Sequence, residues 1–327
     1  MKILYVGGTG EISFDCVHES VRAGHDVYVF NRGHHNDGLP DGVTFLTGDL
    51  QDDPQYRQIA DHGFDVVCQF RVFTPAQLQR DLDLLTGKIG RYVFISSASA
   101  YQKPVGPLPI TEDVPLVNPF WEYSRNKAAC EALLTGQSAL PWTIVRPSHT
   151  SRTQLISALG GGDLFASRLL RGKPVIVHGD GTSLWTITAA ADFAPPFVKL
   201  LAADAAVGQA YHLTADHAYP WRTIFRAAAE ALGVEPQIVG VPSDTLIAYN
   251  PDWEGPLWGD KAWSVTFDNR KLKAVVGDFS CDTPLSQFMA DRVASFHRRG
   301  GMDLPIDAET DALFDRIAEM QQRLGRS

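Results

Sequence analysis

The opening of the chain limits its fold more than any other feature. Lys2-Ile3-Leu4-Tyr5-Val6 is an apolar run of strand length, and it leads directly into Gly7-Gly8-Thr9-Gly10-Glu11-Ile12-Ser13. An amphipathic helical pattern follows to about Ala23, where Gly24 closes it. A buried strand turning through glycines into a helix is the start of a parallel crossover unit. The alternation continues, with strands predicted at 27–30, 43–46, 65–70, 92–96 and 142–145 and helices at 54–62, 75–87 and 122–138. Such connections are right-handed and lay helices on both faces of a parallel sheet. The expected fold class is therefore α/β: a doubly wound, Rossmann-like parallel sheet with a smaller C-terminal lobe.

After Pro147 the pattern loosens. Gly160-Gly161-Gly162 precedes a helix near 163–171, and Gly172-Lys173-Pro174 leads to a strand at 175–178. The segment 240–262 holds Pro242, Pro251, Pro256, Trp253 and Trp258, with Trp263 just beyond, and reads as a long irregular loop that caps a site. From Asp307 onward Leu313, Ile317, Met320 and Leu324 recur at helical spacing beside Phe314, a stripe expected to dock on the body.

Charge and cysteine usage narrow the function classes. The 327 residues carry 29 Lys plus Arg against 38 Asp plus Glu, a net charge of -9, which disfavours nucleic acid as a partner. Cys16, Cys68, Cys130 and Cys281 form no Cys-x-x-Cys pair, and no His spacing reads as zinc, so no metal is expected. No apolar run approaches the roughly 18 residues that span a bilayer. A cytoplasmic protein with buried, reduced cysteines and no membrane partner is the expectation.

Three constellations carry chemistry. The turn at Gly7, Thr9, Gly10, Glu11 and Ile12 lets backbone approach a pyrophosphate at a helix N-terminus, with Ser13 standing where a third glycine is usual. The second strand ends in Phe30-Asn31-Arg32-Gly33, with His34 and His35 next. An acidic residue there would bind a ribose hydroxyl; Asn31 and cationic Arg32 suit a 2′-phosphate, so NADP is expected, with NAD as the alternative. Asp49 is a candidate acceptor for an adenine amino group and Leu50 a flank for the ring, although Asp49 also suits a helix N-cap.

The third constellation is Tyr123 and Lys127, four apart on one helix face. Lys127 is placed to hold a nicotinamide ribose and to lower the Tyr123 phenol pKa. Ser97 and Ser99 end the fifth strand, where a hydroxyl faces the ligand crevice of a parallel sheet and can bind the oxygen that Tyr123 protonates. The competing reading is a serine cluster that satisfies turn backbone.

These residues resemble an extended short-chain dehydrogenase/reductase of the NAD-dependent epimerase/dehydratase family. Tyr92 to Ser97, Thr111-Glu112-Asp113, Tyr123 with Lys127, Glu131 and Val145-Arg146-Pro147 fall in that family's order, as do Gly179 to Thr182, Asp192-Phe193-Ala194 and Phe267 to Arg270. Asn31-Arg32-Gly33 and Phe73 to Gln77 resemble an atypical branch that contains chloroplast stem-loop-binding proteins. The resemblance implies Ser97, Tyr123 and Lys127 as the catalytic set. It also implies Phe70, Ser96 and Pro147 beside the cofactor, and a homodimer through helices 75–87 and 122–138.

By the same resemblance, residues 1–147 form the NAD(P)-binding domain, which also takes a strand and helix from about 183–205. Residues 148–182 and 206–327 form the substrate lobe. Departures bear on the substrate. Gln69-Phe70-Arg71-Val72 replaces small residues after strand four, Ser148 to Arg152 replaces a Gly-Pro turn, and Trp185 stands where sugar-nucleotide enzymes place a diphosphate-binding Arg. An indole cannot replace that cation. The candidate substrate residues are Ser99, His149, Arg152, Arg168 and Trp185, with Arg71, Arg222 and His178 as further candidates. The expected reaction moves a hydride at a secondary alcohol or ketone carbon of a sugar, giving epimerisation or reduction rather than dehydration. The alternatives are a reductase of a small apolar substrate or a non-catalytic nucleotide- or RNA-binding member of the same fold.

Overall fold

The computed structural model describes residues 1–137 and 139–324. Residue 138, which ends one expected helix, and residues 325–327 lie outside the described residues, as does the side chain of Leu324. The central sheet is built from β1 (Lys2–Val6), β2 (Asp26–Asn31), β3 (Thr44–Thr47), β4 (Val66–Gln69), β5 (Arg91–Ile95), β6 (Trp142–Pro147) and the edge strand Gln209–Leu213. All seven run parallel, in the order Gln209–Leu213, β6, β5, β4, β1, β2, β3. Chain order reverses between β1 and β4, and ligands of such sheets bind outside the carboxyl ends of the strands at that point.

Both faces of β1 are buried, which is why its sequence is apolar throughout. Ile3 and Tyr5 pack with Cys16 and Val17 of helix Ser13–Arg22 and with Phe193 and Phe197 of helix Ala190–Ala202. Leu4 and Val6 pack on the other face with Leu78 and Leu82 of helix Pro75–Leu85 and Cys130 and Leu134 of helix Glu122–Thr135. Asp81 is fully buried there and accepts from Tyr56 (2.9 Å), Tyr92 (2.7 Å) and Gln69 (2.7 Å), so the carboxylate ties its helix to β4 and β5. All four cysteines are free and buried. Among the described residues no helix is long and apolar enough to cross a membrane.

Two expectations change. The extra sheet strand is Gln209–Leu213, beyond the expected span of 183–205, because a parallel strand must follow its crossover helix, here Ala190–Ala202. The earlier strand Ile187–Ala189 pairs instead with His149–Ser151. The segment 240–262 is also structured. Helix Ser243–Tyr249 starts after Pro242, a short turn starts at Pro251, and one helical turn, Glu254–Pro256, runs into a π-turn at Leu257–Lys261. Two of the prolines that read as breakers stand at helix starts, where a missing N–H costs nothing.

The second lobe has its own core, in which Trp253 packs on Phe314 with ring centroids 5.7 Å apart. The terminal helix Ala308–Leu324 docks through Phe314, Ile317 and Ala318, while Met320 is exposed.

Candidate active site

The carboxyl ends of β1 to β4 surround a cavity of about 480 Å³. Gly7, Thr9, Gly10, Asn31, Arg32, Asp49 and Leu50 line it, together with His34, His35, Arg71, Phe73 and Arg80. Gly7 has φ +84°, and a Cβ there would sit 2.5 Å from Arg71 Cγ, so only glycine fits this turn. Ser13 Oγ donates to the Gly7 carbonyl (2.6 Å) and accepts from Gly10 N–H (3.0 Å), holding the turn that a third glycine would leave open. Asn31 accepts from Gly33 N–H (2.8 Å) and donates to Asn36 (2.7 Å), shaping the loop that presents exposed Arg32. Asp49 accepts from Gln51 N–H (2.8 Å), whereas Asp52 is the residue that caps the next helix. Three arginines and two histidines against one carboxylate make this a site for an anion.

The helix Glu122–Thr135 brings Tyr123 and Lys127 to the crevice, and a buried ion pair sets its position. Arg146 of β6 donates to Glu131 through Nε (3.0 Å) and Nη2 (2.6 Å), with further bonds to Tyr101 and the Glu112 carbonyl. A two-pronged bond of this kind fixes rotation as well as distance. Lys127 Nζ donates to the carbonyls of Val72 (2.7 Å) and Ile95 (2.8 Å), and burial pushes its pKa down to about 8.

Burial raises the Tyr123 pKa, a hydrogen bond with Ser97 opposes the rise, and Asp260 adds to it. Lys127 exerts no resolved effect on the phenol, contrary to expectation, because its ammonium is engaged by two carbonyls and lies 5.8 Å from the ring centroid.

Ser97 serves both readings of the serine cluster. Its hydroxyl accepts from Ser99 N–H (3.2 Å) and contacts Ser99 Oγ (2.9 Å), which accepts from Ser124 (2.8 Å). The same hydroxyl lines a second cavity of about 280 Å³ with Ser99, Tyr123, Pro147, His149 and Trp185. Trp185 Nε1 donates to His149 Nδ1 (3.2 Å), and burial pushes the His149 pKa down to about 3. The imidazole is therefore neutral and carries its proton on Nε2.

Three further wall residues escaped the sequence reading: Trp121, Asp260 and Phe267. Trp121 is seated against Gly255 and Gly259, where a Cβ on Gly259 would lie 2.6 Å from Trp121 Cβ. Asn118 Nδ2 donates to the carbonyls of Ser99 and Gly259, both at 2.7 Å, so the π-turn is tied to the serine turn. Two glycines four apart in Gly255-x-x-x-Gly259 are the signal that marks such a close approach.

Other expected residues lie elsewhere. Glu11 points away from the cavity and accepts from the backbone N–H of Arg152 (2.9 Å), Thr153 (2.9 Å) and Gln154 (3.3 Å) and from the Thr153 hydroxyl. Its carboxylate joins the two lobes, which leaves its backbone N–H in the turn as the group that could meet a pyrophosphate. Ile12 packs in the core, and Phe70 stacks on Tyr5 (6.1 Å), since an aromatic ring after β4 gains more from the interior than from the crevice.

Arg152 lies over the Phe14 ring (3.9 Å) and lines neither cavity. Arg168 is buried against Asp311, Asp315 (2.8 Å) and the Pro174 carbonyl (2.8 Å), a lobe-internal pairing that leaves no cation for substrate. Arg222 bonds the Asp180 carbonyl (2.5 Å), and His178 bonds Ser183 (3.2 Å).

A dinucleotide fits the residues present. The glycine turn lines the larger cavity, that cavity is cationic, and the buried Ser96 hydroxyl at the end of β5 has no partner among the described residues. The model of the NAD dependent epimerase/dehydratase family matches residues 3–213. The chain is 27% identical over 274 residues to a 2'-dehydrokanamycin reductase of Streptomyces kanamyceticus, covering 82% of this chain and 77% of that one. It is 26% identical over 264 residues to chloroplast stem-loop binding protein of 41 kDa b of Arabidopsis thaliana, covering 76% and 66%. The UDP-glucose 4-epimerase of Bifidobacterium longum, solved with NAD+ and UDP, superposes with TM-score 0.74 at 18% identity, covering 92% of this chain and all of that one. The chain belongs to the NAD dependent epimerase/dehydratase family and is an oxidoreductase-type enzyme.

Proposed function

We propose that this enzyme uses NADP to interconvert a ketone and a secondary alcohol on a sugar ring, with Tyr123 as the proton donor and acceptor. The observation that carries the reading is the juxtaposition of Tyr123, Ser97 and Pro147 on one wall of the 280 Å³ cavity. The dinucleotide, when bound, supplies or takes up the hydride. Arg32, beside His34 and His35, is suited to a 2′-phosphate, and Gly7, Thr9 and Gly10 to the pyrophosphate.

In the direction of reduction, Tyr123 donates its phenolic proton to the carbonyl oxygen while a C–H bond forms at the carbon. With its pKa raised, the phenol carries its proton at neutral pH and can act as the donor. Ser97 holds the same substrate oxygen, and the Ser97–Ser99–Ser124 hydroxyl chain orients it. Lys127 anchors the start of the helix to the ends of the strands.

Net reduction is favoured over epimerisation of a nucleotide sugar. Among the described residues no arginine or lysine lines the substrate cavity, and the Trp185 N–H is already used by His149. A diphosphate therefore finds no counter-charge on these walls. The kinship with a 2'-dehydrokanamycin reductase supports net reduction. The test is NADPH consumption with a panel of keto sugars. Turnover is expected for wild type and lost in Tyr123→Phe; wild-type rates in that variant would overturn the assignment.

A further inference from the structure

We propose that Asp260 determines substrate specificity: its carboxylate accepts a hydrogen bond from a hydroxyl or ammonium group on the substrate ring. This selects hydroxylated or amino-substituted rings over phosphorylated ones. The inference rests on the reading of the 280 Å³ cavity as the substrate site.

Asp260 lines that cavity together with Tyr123 and acts on its phenol, and no donor among the described residues bonds the carboxylate. The nearest cation is Lys261 at 3.8 Å, beyond hydrogen-bonding reach, and Lys103 acts on it from farther away. Its side chain is only 17% exposed, so water satisfies it poorly. A carboxylate in that position gains from any donor a ligand brings, because leaving it unbonded keeps most of its desolvation cost.

The position of Asp260 is built. It sits in the π-turn Leu257–Lys261, a backbone form that is uncommon and often found at functional sites. Gly255 and Gly259 let that segment close on Trp121, whose ring lies 5.0 Å from the Tyr123 ring. Asn118 then bonds Gly259 and Ser99 together at 2.7 Å each. The carboxylate is thereby indexed to the catalytic turn although 137 positions separate it from Tyr123 (260 less 123).

The rest of the wall suits a ring rather than a phosphate. Trp121, Trp185 and Phe267 present apolar faces, and His149 beside them is neutral. A phosphate placed here meets the Asp260 carboxylate, and the nearest cation, Lys261, is already paired with that carboxylate, an arrangement that acts against the wrong ligand.

The test is ligand titration of NADP-saturated protein, followed by NMR, with D-glucose, D-glucosamine and glucose 1-phosphate. Wild type is expected to bind both uncharged and amino sugar and to bind the phosphate ester most weakly. Asp260→Asn should weaken glucosamine by about tenfold, since the charge assistance goes, while glucose stays within about threefold. Asp260→Leu should weaken both sugars. Unchanged affinities in Asp260→Leu, no saturable sugar binding by wild type, or tightest binding of glucose 1-phosphate would each overturn the proposal.

Unaltered NADP affinity in both variants shows that the fold is intact. Should Tyr123→Phe keep its turnover while the Asp260 variants still shift sugar affinity, the catalytic assignment falls and the role of Asp260 stands.

Discussion

The two cavities differ in how they are made, and the difference shows in their chemistry. The larger one is assembled mostly from the turns that follow consecutive strands, with Gln77 and Arg80 added from the helix after β4. It is cationic and open, as suits a cofactor half that is bound mainly through phosphate. The smaller one gathers Ser97, Trp121, Pro147, Trp185, Asp260 and Phe267 from both lobes, and its walls are aromatic around one carboxylate. The strand-end cavity follows from the fold; the inter-lobe cavity depends on long-range packing, which is where one member of a family comes to differ from another.

The comparison can be broken at its strongest point first. Tyr123→Phe removes the proton and leaves the ring, so turnover should fall by about a thousandfold while NADP affinity stays unchanged. A parallel loss of NADP binding would mean that the cavities are not separable. Gly255→Ala tests the inter-lobe cavity through its packing. Its added methyl meets Trp121 well inside contact distance and should cost about 1–3 kcal/mol. Thermal unfolding should report the loss, kcat/KM should drop, and the NADP Kd should hold.

The smallest expected effect is at the seam. Burial raises the Glu11 pKa, but the Thr153 hydroxyl and the N–H groups of Thr153, Arg152 and Gln154 outweigh it and leave the group below the ordinary glutamate range. Its stabilisation is then fully present above the unfolded value of about 4.3 and is lost as pH falls through the lower folded value. Glu11→Gln should cost about 1 kcal/mol near neutral pH and flatten the acid limb of the stability curve. An acid limb identical to wild type would remove Glu11 from the seam.

What was legible in the chain divides along the same line. The sheet, the glycine turn and the Tyr123–Lys127 pair are local patterns, set by strand period, helix period and the backbone freedom of Gly7, and each is found close to where the residues predict it. Arg32 likewise reaches the larger cavity because one short turn carries it there. Asp260 was not legible, since only the packing of the lobes brings it to Tyr123; Trp121 stands two positions before Tyr123, but its seat against Gly255 and Gly259 is equally long-range. The second role of Glu11 was hidden for a related reason: its place in the turn predicts a backbone approach to a pyrophosphate and says nothing of a carboxylate that reaches the 152–154 backbone. Arg168 read as a free cation because its partners Asp311 and Asp315 lie about 145 residues away on the terminal helix. Pro242 and Pro251 read as loop because proline marks a helix start as readily as an irregular segment.

The most direct test of a phosphate-reading strand-end cavity is a calorimetric titration of NADP and NAD on wild type and Arg32→Ala. NADP should bind at least about tenfold more tightly than NAD, and the variant should lose that preference while keeping its NAD affinity. Equal affinity for both dinucleotides, untouched by Arg32→Ala, would contradict the account.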